Sequence, residues 1–173
     1  MFQTLIASST VGSGGAANIT FSSIPQTYTD LTLVINIRSG SNNDVLFMRI
    51  NGDTSSTVSR IIEGNGGSVS SSNSTTNTFV RFGTITSAAS ASSFSSGQAF
   101  FPNYTGSALK TVVTDYVSEN AATTAYQTLV AGRFPLTAAI TSLLISNTGS
   151  SLAEFSTAYL YGTLKGSGGA TAA

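Results

Sequence analysis

Residues Asp30–Asp53, DLTLVINIRSGSNNDVLFMRINGD, decide the fold class of this chain. Leu31, Leu33, Ile35 and Ile37 alternate with Thr32, Val34, Asn36 and Arg38. A side-chain period of two puts the first set on one face of a β-strand, turned to a core, and the second on the other. A second strand, Val45 to Ile50, places Leu46, Met48 and Ile50 opposite Val45, Phe47 and Arg49. Between them SGSNND is rich in residues that tolerate turn geometry, so the segment predicts a hairpin. Asn51-Gly52 stops the second strand, and Asp53 is placed to N-cap one helical turn over Asp53 to Ser59.

Working outward, the same reading predicts strands over Phe2–Ala7, Asn18–Phe21, Arg60–Glu63 and Thr78–Ile85. Further strands follow over Gln98–Phe101, Leu109–Val117 and Thr124–Phe134, with Ala139–Ser146 and Ser156–Leu164 as a closing pair. In Thr78–Ile85 neither face is purely apolar, so the pattern does not say which one meets the core. Gly64–Asn77, GNGGSVSSSNSTTN, has little to bury and reads as an exposed loop; Thr86–Gly97 reads as a second. The expected fold is all-β, an antiparallel, jelly-roll-like sandwich of about ten short strands. Residues 1–165 form its single domain, and residues 166–173, GSGGATAA, form a flexible tail.

Composition narrows the function. Charged residues make up 8% of the chain, and seven basic side chains balance seven acidic ones. Such a neutral, charge-poor surface does not attract phosphate backbones, and it resists association only weakly. The expected partners therefore exclude nucleic acid. No run of apolar residues reaches the ~18 of a membrane span, and the N-terminus lacks the basic and apolar regions of a signal peptide. The expectation is synthesis in a cytoplasm, with no membrane partner.

Histidine and cysteine are both absent, which removes most routes to nucleophilic and metal-assisted catalysis. Ser107 to Lys110 matches S-x-x-K, yet without its partner motifs it reads as a turn serine and a solvated lysine. Asp115 and Glu119 are the nearest carboxylate pair and read as solvated side chains. Asn42, Asn43, Asp44, Asn51 and Asp53 supply oxygen donors but not the spacing of a calcium loop, and they suit turns. No catalytic residue, cofactor or metal is expected. Arg60, Arg81 and Arg133 stand out in a chain with so few charges, and Arg133 adjoins Phe134. Arginine and aromatic residues are common interface anchors, so these four are the candidate interface residues.

Three stretches resemble a known family. They are Ser8–Ser39 with the turn Phe47–Ser56 (FMRINGDTSS), Pro102–Phe134 (PNYTGSALKTVVTDYVSENAATTAYQTLVAGRF) and Ala139–Gly166 (AITSLLISNTGSSLAEFSTAYLYGTLKG). They resemble blocks of bacteriophage virion structural proteins of aquatic phages, described as structural or tail-fibre-like. The chain departs from them in a longer low-complexity region around Ser68–Thr76. The resemblance implies a non-enzymatic virion protein that works by adhesion: a capsid decoration (cement) protein bound to the major capsid protein, or a tail adhesin that binds host glycan. It also implies a homo-oligomer, such as the trimer of jelly-roll virion proteins.

Overall fold

The computed structural model describes residues 3–40, 44–85, 93–119 and 125–164; the expected tail lies outside them. The described residues form an all-β antiparallel sandwich of twelve strands rather than ten, with no helix. In chain order these are β1 (Gln3–Thr10), β2 (Asn18–Phe21), β3 (Asp30–Ile37), β4 (Asp44–Ile50), β5 (Val58–Gly64) and β6 (Val69–Ser74). There follow β7 (Val80–Ile85), β8 (Ser95–Phe101), β9 (Lys110–Glu119), β10 (Ala125–Phe134), β11 (Leu143–Asn147) and β12 (Thr157–Thr163).

One sheet has the order β1-β12-β3-β8-β9-β10-β5-β6, the other β2-β11-β4-β7. Setting aside the hairpins β5–β6 and β9–β10 leaves two four-stranded sheets whose pairings nest. β1 joins β12, β2 joins β11, β3 joins β8 and β4 joins β7. This is the eight-strand jelly roll, in effect one long hairpin wrapped around a core. The two extra hairpins then add to the free side of β8 and double the width of the first sheet.

The alternation in Asp30–Ile37 is realised as read. Leu31, Leu33, Ile35 and Ile37 are buried, as are Leu46, Met48 and Ile50 of β4 facing them from the other sheet. Each such side chain contributes about 1.5–3 kcal/mol by leaving water. However, β3 and β4 do not pair with each other. β3 lies between β12 and β8, while β4 lies between β11 and β7, so the polar link joins the two sheets. Period-two patterning fixes which face is buried but says nothing about which strand is the neighbour. The closing pair is corrected for the same reason: β11 and β12 belong to different sheets.

Two loops also differ from expectation. Asp53 caps no helix. Asn51 and Gly52 both have positive φ, at 52° and 66°, and Asp53 N–H donates to Ile50 O at 2.9 Å, closing a tight turn. Asp53 Oδ1 then accepts from Ser55 N–H at 3.1 Å, a local bond that competes with helix formation. The serine-rich stretch after Gly64 is β6, paired with β5 and turned at Asn65–Ser68, where Asn65 Oδ1 accepts from Gly67 and Ser68 N–H. The ambiguous faces of residues 78–85 resolve through a bulge. Leu46 pairs with Gly83 and Phe47 with Arg81, so Phe82 is the extra residue, and Val80, Phe82 and Ile85 all reach the core.

Candidate interaction surface

The outer face of the eight-stranded sheet is the most unusual surface of the molecule. Read across the sheet from β6 to β1 in register, one row is Asn73, Arg60, Ala131, Val113, Phe100, Thr32, Tyr161 and Leu5. The next is Ser71, Ile62, Leu129, Asp115, Gln98, Val34, Tyr159 and Ser8. A third is Val69, Gly64, Gln127, Val117, Ser96, Asn36, Thr157 and Thr10. Arg60 and Asp115 are the only charges in these rows, and Arg133 stands just beyond them beside Thr111 and Val58.

Large apolar side chains sit in the middle of this face and meet solvent: Val113 is 57% exposed, Ile62 53%, Leu129 43% and Phe100 38%. A strand pattern that keeps one face apolar for the core and makes the other polar would put Thr or Ser here. Three shallow grooves cross the face. The first, of about 470 Å³, runs between Ile62, Ser71, Asn73, Val113 and Leu129. The second, of about 460 Å³, lies over Val34, Asn36, Gln98 and Val117. The third, of about 480 Å³, holds Gln3, Thr32, Gln98, Phe100 and Asp115. Polar side chains on the face are tied to one another: Gln3 Nε2 donates to Thr32 Oγ1 at 3.0 Å and Ser96 Oγ to Asn36 Oδ1 at 2.8 Å. With strands ~4.8 Å apart and alternate residues ~7 Å apart, the three rows cover roughly 700 Å². That approaches the ~800 Å² per partner of a standard protein interface.

The four interface residues named from the sequence do not come together. Arg60 is exposed on this face, and Arg133 lies at its margin. Arg81 is committed elsewhere: its Nη2 pairs with Glu63 Oε2 at 3.2 Å and reaches Thr84 Oγ1, fastening β7 to β5 at the rim of the sandwich. Phe134 is buried in the core and offers a partner nothing. The exposed apolar residues at the centre of this face, Val113, Leu129, Ile62 and Phe100, were not among the four. Their signal was present as adjacent apolar pairs, such as Val112-Val113 and Leu129-Val130, which load both faces of one strand.

The opposite sheet hides its own outward aromatics. Phe47 and Phe79 stack at 4.5 Å, and the Arg49 guanidinium lies 5.0 Å from the Phe47 ring while donating to Thr78 O. At one end of the sandwich Phe155 is 63% exposed in a left-handed conformation, φ 67°. Its backbone is held there by Phe155 N–H donating to Val11 O at 2.9 Å.

Lys110, Asp44 and Asn51 each make several hydrogen bonds within the fold. Lys110 is buried rather than solvated: its Nζ donates to Gly106 O, to Ala108 O at 2.7 Å and to Thr137 O at 3.0 Å, and burial lowers its pKa. Asp44 is buried and accepts from Ser39 Oγ at 2.6 Å, Ser150 Oγ at 2.8 Å and Asn147 Nδ2 at 3.2 Å, far from Asn51. Asn51 braces the turn instead, with Oδ1 accepting from Thr141 N–H at 2.8 Å. Asn42 and Asn43 lie outside the described residues. Among the described residues no group of three acidic or metal-binding side chains forms. No family model, curated protein or solved structure matches this chain.

Proposed function

We propose that this protein is a bacteriophage virion structural protein that acts by adhesion, as a capsid decoration subunit on the major capsid protein. The observation that carries the reading is the outer face of the eight-stranded sheet: broad, apolar at its centre and nearly uncharged. A protein whose task is to adhere needs such a surface on a stiff scaffold, and the nested jelly roll supplies one. Val113, Ile62, Leu129 and Phe100 form the desolvating centre, with the Ser, Thr, Asn and Gln side chains of the same rows as a hydrogen-bonding rim. Modest single contacts, repeated over a symmetric particle, then sum by multivalency. The family resemblance of Pro102–Phe134 supports this reading, because that stretch supplies β9 and β10, the middle of the face.

One observation favours a second reading, a tail-associated adhesin. Phe100 shares its groove with Gln3, Gln98 and Asp115. An aromatic ring beside amides and a carboxylate is the chemistry that binds a glycan, through stacking and hydrogen bonding.

Copy number in purified virions, by quantitative mass spectrometry against the major capsid protein, separates these readings. A count of the order of the capsid subunits supports decoration. A handful of copies supports the adhesin, and absence from the particle overturns both.

A further inference from the structure

A twelve-stranded sandwich of two open sheets has four edges, and here they are β1 and β6 in one sheet and β2 and β7 in the other. An edge strand presents unpaired backbone N–H and C=O groups to any extended chain, and proteins blunt such edges with bulges, charges, proline or short length. Three of the four edges carry such a device. β1 is broken by a register shift between Leu5 and Ala7, which leaves Ile6 as the extra residue. β2 has only four residues. β7 is bulged opposite Leu46 and Phe47 and carries Arg81.

The fourth edge has none. β6, VSSSNS, contains no charge and no proline, and its six pairs with β5, from Ser59–Ser74 to Gly64–Val69, run without a shift. Its side chains are exposed along almost its whole length, because β6 overhangs the smaller sheet and packs on neither face. Nothing in its composition discourages a further strand.

We infer that β6 pairs antiparallel with β6 of a second copy of this chain. Self-pairing is favoured because small hydroxyl and amide side chains would stand opposite one another, with no like charges to repel. A regular uncharged edge is its own complement under a two-fold axis. For antiparallel strands that axis is perpendicular to the sheet, so both copies keep their outer faces on the same side. The two eight-stranded sheets become one of sixteen strands, and the rows through Asn73 and Ser71 continue from one copy into the next. Two adhesive faces then lie in one plane and can meet one target surface together. The symmetry is two-fold, in place of the trimer that the family resemblance implies. The pairing does not depend on what the outer face binds.

The test is sedimentation velocity of the purified chain over a concentration series, beside Ser72→Lys. Ser72 is exposed and outside the core, so this variant folds, which far-UV circular dichroism checks. The expected result is a reversible rise from the 17.6 kDa protomer toward twice that mass, with association weakened roughly tenfold or more by the lysine. A second measurement exploits the absence of native cysteine. Ser72→Cys should cross-link into a dimer under mild oxidation, and Ser8→Cys, exposed on the bulged edge, should not. A wild-type chain that stays monomeric overturns the inference. So does self-association that Ser72→Lys leaves unchanged, and so does equal cross-linking of the two cysteine variants.

Discussion

Gly83 of β7 lies against the ring of Tyr116 in β9 so closely that a Cβ on this glycine would overlap the ring edge. On the ring's other edge a Cβ at Gly97 would stand 2.8 Å from Tyr116 Cδ2, and Phe82 meets the ring edge-on at 5.5 Å. The largest buried ring of the added hairpins is thus seated between two glycines, one from each sheet.

Gly83→Ala should therefore destabilise the fold by about 1–3 kcal/mol, the usual cost of overpacking. Urea unfolding measures it. Adding Tyr116→Leu should relieve part of the penalty, so the double variant should lose less than the sum of the two single ones. Strict additivity would show that the glycine and the ring are not in contact.

Burial pushes the Tyr116 phenol well above its ordinary pKa, with the Ser95 hydroxyl and Arg81 acting the other way. Tyr104 is raised for the same leading reason, and its hydroxyl donates to Pro25 O. An unfolded tyrosine titrates near 10, so above that pH the unfolded chain binds fewer protons than the native one. The contribution of these phenols to stability is complete below about pH 10 and is lost as pH climbs toward their folded values. Tyrosinate absorbance from Tyr104 and Tyr116, isolated by comparison with Tyr104→Phe and Tyr116→Phe, should appear together with loss of the far-UV strand signal. Their full ionisation in a still-native fold would sink this account.

Lys110→Met removes one ammonium that serves three backbone carbonyls where the chain enters β9. Those carbonyls keep their need for donors, so the expected loss is about 2–4 kcal/mol despite the good fit of the aliphatic side chain. Asp44→Ala should cost a similar amount, about 2–4 kcal/mol, since Ser39, Asn147 and Ser150 all donate to its carboxylate. Thermal unfolding of both variants is the check, and a loss no larger than that of an ordinary surface substitution would refute it.

Leu129→Asp and Val113→Asp alter the centre of the outer face without touching the core. Stability should stay within about 0.5–1 kcal/mol of the parent. Attachment to particles lacking the protein, measured by co-sedimentation, should fall at least tenfold. Full binding by both variants would move the adhesive site off this face.

The buried side of β3 was legible, because period two is imposed by the pleat itself, whereas the expected count of about ten strands fell short of the twelve present among the described residues. Pairing was not legible. Which strand lies beside β3 depends on contacts up to the far end of the chain, and no local pattern in DLTLVINI encodes Tyr159 or Gln98 as neighbours. β6 escaped notice because serine has little strand preference and nothing there is buried; the Asn65-Gly66-Gly67 turn was its one visible mark. Lys110 and Phe134 were misjudged from residue type, since charge and aromaticity say little about exposure until the alternation of β9 and β10 is phased.

The nesting of strands also governs when this protein can exist. β1 finds its hydrogen-bonding partner only in β12, Gln3 opposite Thr163, and β3 takes one side of its ladder from the same strand. Until Thr157–Thr163 has left the ribosome, the first and third strands wait with open ladders, and the core they cover stays wet. Closure over such sequence separations is slow, and the waiting intermediate is the aggregation-prone one. Folding of this sandwich therefore waits for its last strand, and its yield in a cell should rise with slower synthesis or lower temperature more than with any single surface substitution.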